Sequence, residues 1–152
     1  MIRVPLATGV DLDVAVAGDP TRPAIVLLHG FPESHRTWRH QIPELAKTHF
    51  VIAPDQRGYA RSSKPAGVES YAADKIMADL MALADALEVK HFTLVGHDWG
   101  GAIAWMAAPR HPLRIKRLII LNAPHPKIFQ QSLFDDPAQR EASQYINRVR
   151  DT

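Results

Sequence analysis

The chain has no cysteine among its 152 residues. Disulfides, thiol catalysis and cysteine-ligated zinc are therefore excluded. It also has little net charge: 18 Lys and Arg stand against 16 Asp and Glu, a formal +2. The basic residues are scattered, so there is no electrostatic footprint for nucleic acid. No apolar stretch approaches the roughly 20 residues that a membrane span requires, so no membrane partner is expected. The segment Met1 to Pro20 lacks an apolar core and carries Asp11, Asp13 and Asp19, unlike a signal peptide. A cytoplasmic protein is expected. No histidine pair has metal-ligand spacing with carboxylate support, so neither metal nor cofactor is expected.

What is present is ordinary globular material, 46% hydrophobic and 22% charged, enough for one domain with a real core. Short apolar runs alternate with longer helical patterns. Strands are expected at Leu12–Ala17, Ala24–Leu28, Phe50–Ala53, Phe92–Val95 and Ile115–Leu121. Ala24–Leu28 is apolar throughout, as a strand buried on both faces should be. Helices are expected at His35–Lys47, at Tyr71–Leu87 with a stripe of Ile76, Leu80, Leu83, Ala84 and Leu87, and at Trp99–Ala108. Gln56–Gly67 reads as a loop. This alternation predicts an α/β fold: a mostly parallel sheet with flanking helices and right-handed crossovers. Beyond Pro124 the pattern changes. Asp136 and Pro137 look like an N-cap and first helical residue, opening a helix to about Arg150.

Gly96-His97-Asp98-Trp99-Gly100-Gly101 follows a strand and opens a helix. That is the arrangement of a nucleophile elbow, with Asp98 in the nucleophile's place. A carboxylate is already ionised at neutral pH. It can attack a saturated carbon without a base and leave an ester on its own side chain. The Trp99 N–H would be one oxyanion donor, as water later attacks that ester's carbonyl. Taken alone, the pattern equally suits an Asp that caps a helix after a glycine turn. A second constellation separates the two: His29-Gly30-Phe31-Pro32-Glu33-Ser34 follows the buried strand Ala24–Leu28. The loop after that strand is where a second oxyanion donor belongs, here the Phe31 N–H.

These two motifs, with Trp38-Arg39 and Asp55-Gln56-Arg57-Gly58-Tyr59, resemble the soluble epoxide hydrolases of the α/β-hydrolase fold. The resemblance runs from about residue 3 to residue 126. Haloalkane dehalogenases of the same branch commonly carry Asn where this chain has Phe31, and fluoroacetate dehalogenases carry Arg where it has Trp99. Both differences point to epoxides. The family often has glycine where this chain has Ala60, which bears on the local loop geometry. The resemblance implies a small hydrophobic epoxide as substrate, opened to a diol. It also implies a helical cap, whose tyrosines donate a proton to the epoxide oxygen. Tyr145 lies at the distance after Asp98 expected of the first of them, though it also suits an ordinary surface or core tyrosine.

On this reading residues 1–124 are the N-terminal part of the hydrolase core and residues 125–152 begin the cap. Chain order in this fold is nucleophile, acid, then His. The triad acid and His are therefore expected to lie outside this chain, and Ile115–Leu121 is expected to be an exposed sheet edge open to self-association. A haloalkane dehalogenase-like hydrolase and a non-catalytic module of the same fold are the alternatives. His97 is expected to point away from the Asp98 side chain, and His29 to support the oxyanion loop. His125 follows the last strand, where the cap begins and no base is expected. Asp55 is expected to pin the Arg57-Gly58 turn, and Asn122 is assigned no acid role.

Overall fold

The computed structural model describes residues 1–146. A six-stranded sheet runs β1 (Ile2–Pro5), β2 (Asp11–Ala17), β3 (Ala24–Leu28), β4 (Phe50–Pro54), β5 (Phe92–His97) and β6 (Ile115–Leu121) in chain order. In space the order is β1-β2-β4-β3-β5-β6. The β1–β2 and β2–β4 pairs are antiparallel and the others parallel. The helices are α1 (Gln41–Leu45), α2 (Ala73–Ala86), α3 (Trp99–Arg110), α4 (Pro126–Asp135) and α5 (Pro137–Ala142).

All five residues of β3 are buried, and their alternation divides the core into two. Ala24, Val26 and Leu28 face a large cluster with Leu80, Leu83, Ile103 and Ala104 of α2 and α3. Ile25 and Leu27 face a smaller one with Trp38, Val51 and Val95. A strand covered on both faces has no position where water would reward a polar side chain. At β3 the chain's neighbours change hands, β4 on one side and β5 on the other. The chain therefore leaves β3 and β5 in opposite directions, the kind of switch point where sites gather in open α/β sheets.

Several elements differ from the sequence reading. The helix expected over His35–Lys47 is instead a 3-10 turn, His35–Trp38, followed by α1. Pro43 explains the break: its ring clashes with the carbonyl four residues back, Arg39, so no continuous helix passes through both. The helix expected from Tyr71 begins at Ala73, after a separate 3-10 turn, Val68–Tyr71. β1 and α4 were not foreseen. The helix starting at Pro137 ends at Ala142, with Asp136 accepting from the Ala138 and Gln139 N–H groups; its expected continuation beyond residue 146 lies outside the described residues. β6 stands at the sheet edge, with Ile119 and Leu121 exposed. Among the described residues no helix is long and apolar enough to cross a membrane.

Candidate active site

Asp98 joins β5 to α3 with φ +53° and ψ −120°, a region that non-glycine residues enter only under constraint. The constraints are visible. The Asp98 N–H donates to Leu121 O at 3.1 Å, tying the turn to the end of β6. Its carbonyl accepts from the Ala102 N–H at 3.0 Å, which starts α3. A Cβ on Gly96 would collide with the Gly100 carbonyl. One on Gly100 would lie 2.5 Å from Leu28 O and 2.6 Å from His29 O. The elbow thus packs backbone on backbone against the end of β3.

The Asp98 side chain does not cap α3. Its Oδ1 accepts instead from the Phe31 N–H at 2.9 Å. Gly30 makes this approach possible: a Cβ there would lie 2.5 Å from Asp98 Cβ and 2.6 Å from Oδ1. Trp99 is the first residue of α3, so its N–H is one of the donors a helix start leaves without an intrahelical partner. The helix start also puts positive potential beside the carboxylate. The Phe31 and Trp99 side chains, flanking Asp98 in the chain or across this contact, are both exposed.

A ring of polar contacts holds the loop after β3. Glu33 Oε2 accepts from the Gly30 N–H at 2.9 Å and faces His97 Nδ1 at 3.0 Å. One carboxylate therefore bridges the loop to the residue before Asp98. Burial pushes the Glu33 carboxyl up, but the Gly30 N–H and the His97 ring outweigh it, holding the group below the usual carboxylate value. His29 is fully buried, with Nδ1 2.8 Å from Gly30 O and Nε2 3.1 Å from the Gln56 nitrogen. The Gln56 side-chain amide donates to His29 O at 2.7 Å. His97 turned toward Glu33 and His29 supporting the loop are both as the sequence suggested.

Asp55 is not. Its Oδ1 accepts from the His35 N–H at 2.7 Å and lies 2.9 Å from His35 Nδ1. The side chain leaves β4 toward the loop after β3, so it anchors the 3-10 turn at His35 rather than the Arg57-Gly58 turn. That second turn is held by a pair the sequence did not reveal. Buried Arg57 donates from Nε and Nη2 to the two carboxylate oxygens of buried Asp79 on α2, at 2.5 and 2.6 Å. Asp79 raises the Arg57 pKa despite burial. Tyr59, which sequence reasoning left without a role, sets its ring edge-on to His29 at 4.7 Å. Burial first, and the Asp98 charge second, raise its hydroxyl pKa.

The remaining site expectations are spread out. Tyr145 follows α5 and is 61% exposed; its hydroxyl bonds to no other described residue. Asn122 follows β6 with φ +52°. His125 lies edge-on to Trp105, whose indole N–H donates to Ala123 O at 3.1 Å.

The fold and the elbow define the class: the chain belongs to the alpha/beta hydrolase fold family, whose pattern matches residues 23–143. Within that class the chain is similar to epoxide hydrolases. It is 42% identical to mouse epoxide hydrolase 4 over 132 residues, 87% of this chain and 37% of the mouse protein. A solved structure described among novel epoxide hydrolases in metagenomes from hot environments superposes with a TM-score of 0.94 at 56% identity. That match covers 96% of this chain and 49% of the other. A mutant of an epoxide hydrolase from Bacillus megaterium, complexed with its product (R)-3-[1]naphthyloxy-propane-1,2-diol, superposes with a TM-score of 0.91 at 36% identity. There the match covers 96% of this chain and 50% of the other. The chain thus spans about half the length of these structures.

Proposed function

We propose that this chain carries the nucleophile and the oxyanion donors of a hydrolase that opens small hydrophobic epoxides to diols. Asp98 attacks one ring carbon, a carbon–oxygen bond of the epoxide breaks, and the ring oxygen takes up a proton. The product is a hydroxyalkyl ester on Asp98. Water then adds to the ester carbonyl, the Phe31 and Trp99 N–H groups stabilise the oxyanion, and the diol leaves with the Asp98 carboxylate restored. The carrying observation is the 2.9 Å contact between Asp98 Oδ1 and the Phe31 N–H at the mouth of a strained elbow. The similarity to epoxide hydrolases over most of this chain supports the choice of substrate.

On the same reading residues 1–124 belong to the hydrolase core and residues 125–152 to the start of a cap. The packing of α4 against α5 supports this. Tyr145 is a cap proton donor, and the exposed edge of β6 is a surface for self-association when the 152 residues stand alone. The test is repeated turnover of an epoxide in ¹⁸O-labelled water by the full-length protein, followed by peptide mass spectrometry. Label should accumulate in the Asp98 carboxylate, because each cycle exchanges one of its oxygens. Label found solely in the diol would overturn the mechanism.

A further inference from the structure

The Gly30 carbonyl and the Phe31 N–H are two ends of one peptide unit. In a planar trans peptide they point in opposite directions. Whatever fixes Gly30 O therefore aims the Phe31 N–H, which meets Asp98 Oδ1 at 2.9 Å. Two groups reach Gly30 O: the Glu33 N–H at 3.1 Å and His29 Nδ1 at 2.8 Å. The imidazole helps only if Nδ1 carries the proton. Which nitrogen carries it is set by what the other one meets.

The other one meets Gln56. A backbone N–H can only donate, so the Gln56 N–H at 3.1 Å obliges His29 Nε2 to present a lone pair. The single proton of the neutral ring is left on Nδ1, facing Gly30 O. Burial lowers the pKa of His29, which keeps the ring neutral. With the proton on Nε2 instead, two lone pairs would face each other across 2.8 Å and a donor would face a donor at Gln56. The peptide between Gly30 and Phe31 would then turn, taking its N–H off Asp98. Gln56 also holds the far side of His29: its side-chain amide donates to His29 O at 2.7 Å. Gln56 is itself buried and is fixed by the turn in which the Tyr59 N–H donates to Gln56 O at 3.0 Å.

We propose that Gln56 is a positioning residue: through the tautomer and the carbonyl of His29 it aims the Phe31 N–H at Asp98. The proposal deepens the epoxide hydrolase reading and rests on it for the catalytic consequence. It has a test that does not need the reaction. Nitrogen NMR of the unmodified protein should show a neutral His29 with Nδ1 protonated and Nε2 bare between pH 6 and 8 (about the range in which an unperturbed histidine titrates). An Nε2–H tautomer would overturn the proposal.

Gln56→Met keeps the side-chain volume and the backbone N–H but removes the donor to His29 O. In the full-length protein it should leave the tautomer intact and speed hydrogen exchange at the Phe31 amide about fivefold, the worth of one ordinary hydrogen bond. It should also slow breakdown of the Asp98 ester more than its formation, so that ester accumulates at steady state. A folded Gln56→Met protein with unchanged Phe31 exchange would overturn the proposal. If that variant does not fold, the tautomer measurement decides alone. If the unmodified protein forms no ester on Asp98, the epoxide hydrolase reading fails, and the tautomer and exchange measurements still judge the role of Gln56.

Discussion

The Phe31 amide nitrogen lies 2.9 Å from Asp98 Oδ1 across 67 residues of sequence, and Gly30 is what lets them meet. A methyl group on Gly30 would sit 2.5 Å from Asp98 Cβ, an atom fixed by the elbow backbone and unable to swing aside. The loop after β3 would have to move, and the Phe31 donor would move with it. Gly30→Ala should therefore cost about 1–3 kcal/mol of stability, the usual range for overpacking. In the full-length protein, on the epoxide hydrolase reading, it should lower kcat by about 10²–10³, as loss of one oxyanion donor does. Urea denaturation and steady-state kinetics check both. Unchanged kcat would show that the Phe31 N–H takes no part.

The Arg57–Asp79 pair makes a second prediction. Both residues are buried, and two charged hydrogen bonds join them. Asp79 also accepts from Thr8 Oγ1 at 2.6 Å. Removing one partner strands the other charge away from water. Asp79→Ala should cost about 3–5 kcal/mol, while replacing both residues with apolar ones of similar volume should cost far less. Chemical denaturation of the single and double variants measures the difference. Equal losses would show that the pair is not effectively desolvated.

Most of the architecture was legible in the sequence because the parallel core strands are short apolar runs with helical patterns between them. β3 and β6 fall at the expected residues, and the elbow motif announces its own geometry. What was hidden depends on partners remote in sequence. Nothing in the α2 pattern marks Asp79 as buried, because its partner Arg57 lies in a loop 22 residues earlier. Gln56 looks like an ordinary loop residue until β4 brings it beside His29. β1 was missed because four residues with one buried position, Val4, give too little alternation to count.

Ala60 stands where the resemblance leads one to expect glycine, and its backbone gives the consequence. It has φ +44°, in the left-handed region where a Cβ is unfavourable, and it is exposed. Ala60→Gly removes that strain without losing packing. It should stabilise the protein by about 1 kcal/mol, the backbone gain being partly offset by the greater freedom of glycine in the unfolded chain. Thermal denaturation checks the sign. Destabilisation would mean that the exposed methyl group contributes to packing.

Glu33 sets a pH dependence with a definite sign. Its pKa in the folded protein is below the usual value, because the Gly30 N–H and His97 together outweigh burial. The folded state therefore binds a proton at Glu33 less readily than the unfolded state does. The stabilisation is present above the ordinary carboxylate pKa and is lost as pH falls through the lowered folded value. Glu33→Gln should be less stable than the parent at neutral pH, and the gap should close in acid. Denaturation midpoints of both proteins from pH 7 down to about 3 follow it. A gap independent of pH would show that Glu33 acts through packing and not through charge.

The last prediction concerns the 152 residues by themselves. Hydrolysis of an ester on Asp98 needs a base for the attacking water, and the chain has eight histidines to offer. All lie among the described residues, and none hydrogen-bonds to Asp98. His29 is buried and committed to Gly30 and Gln56. His35 faces Asp55, and His97 faces Glu33. His125 lies against Trp105. His40 precedes α1, while His111 follows α3, the helix that Asp98 opens, at its far end. His49 and His91 precede the first residues of β4 and β5, whereas Asp98 follows the last residue of β5. The first step has different needs, because a carboxylate attacks without a base. Incubated with a reactive epoxide, the 152-residue protein should therefore gain up to one substrate mass at Asp98 and release little diol. Asp98→Asn should gain none. Intact-mass and peptide mass spectrometry, with diol measured in parallel, separate the outcomes. Many diol molecules per chain would show that one of these eight histidines moves to Asp98 during the reaction, and His97, adjacent in the elbow, would be the first to substitute.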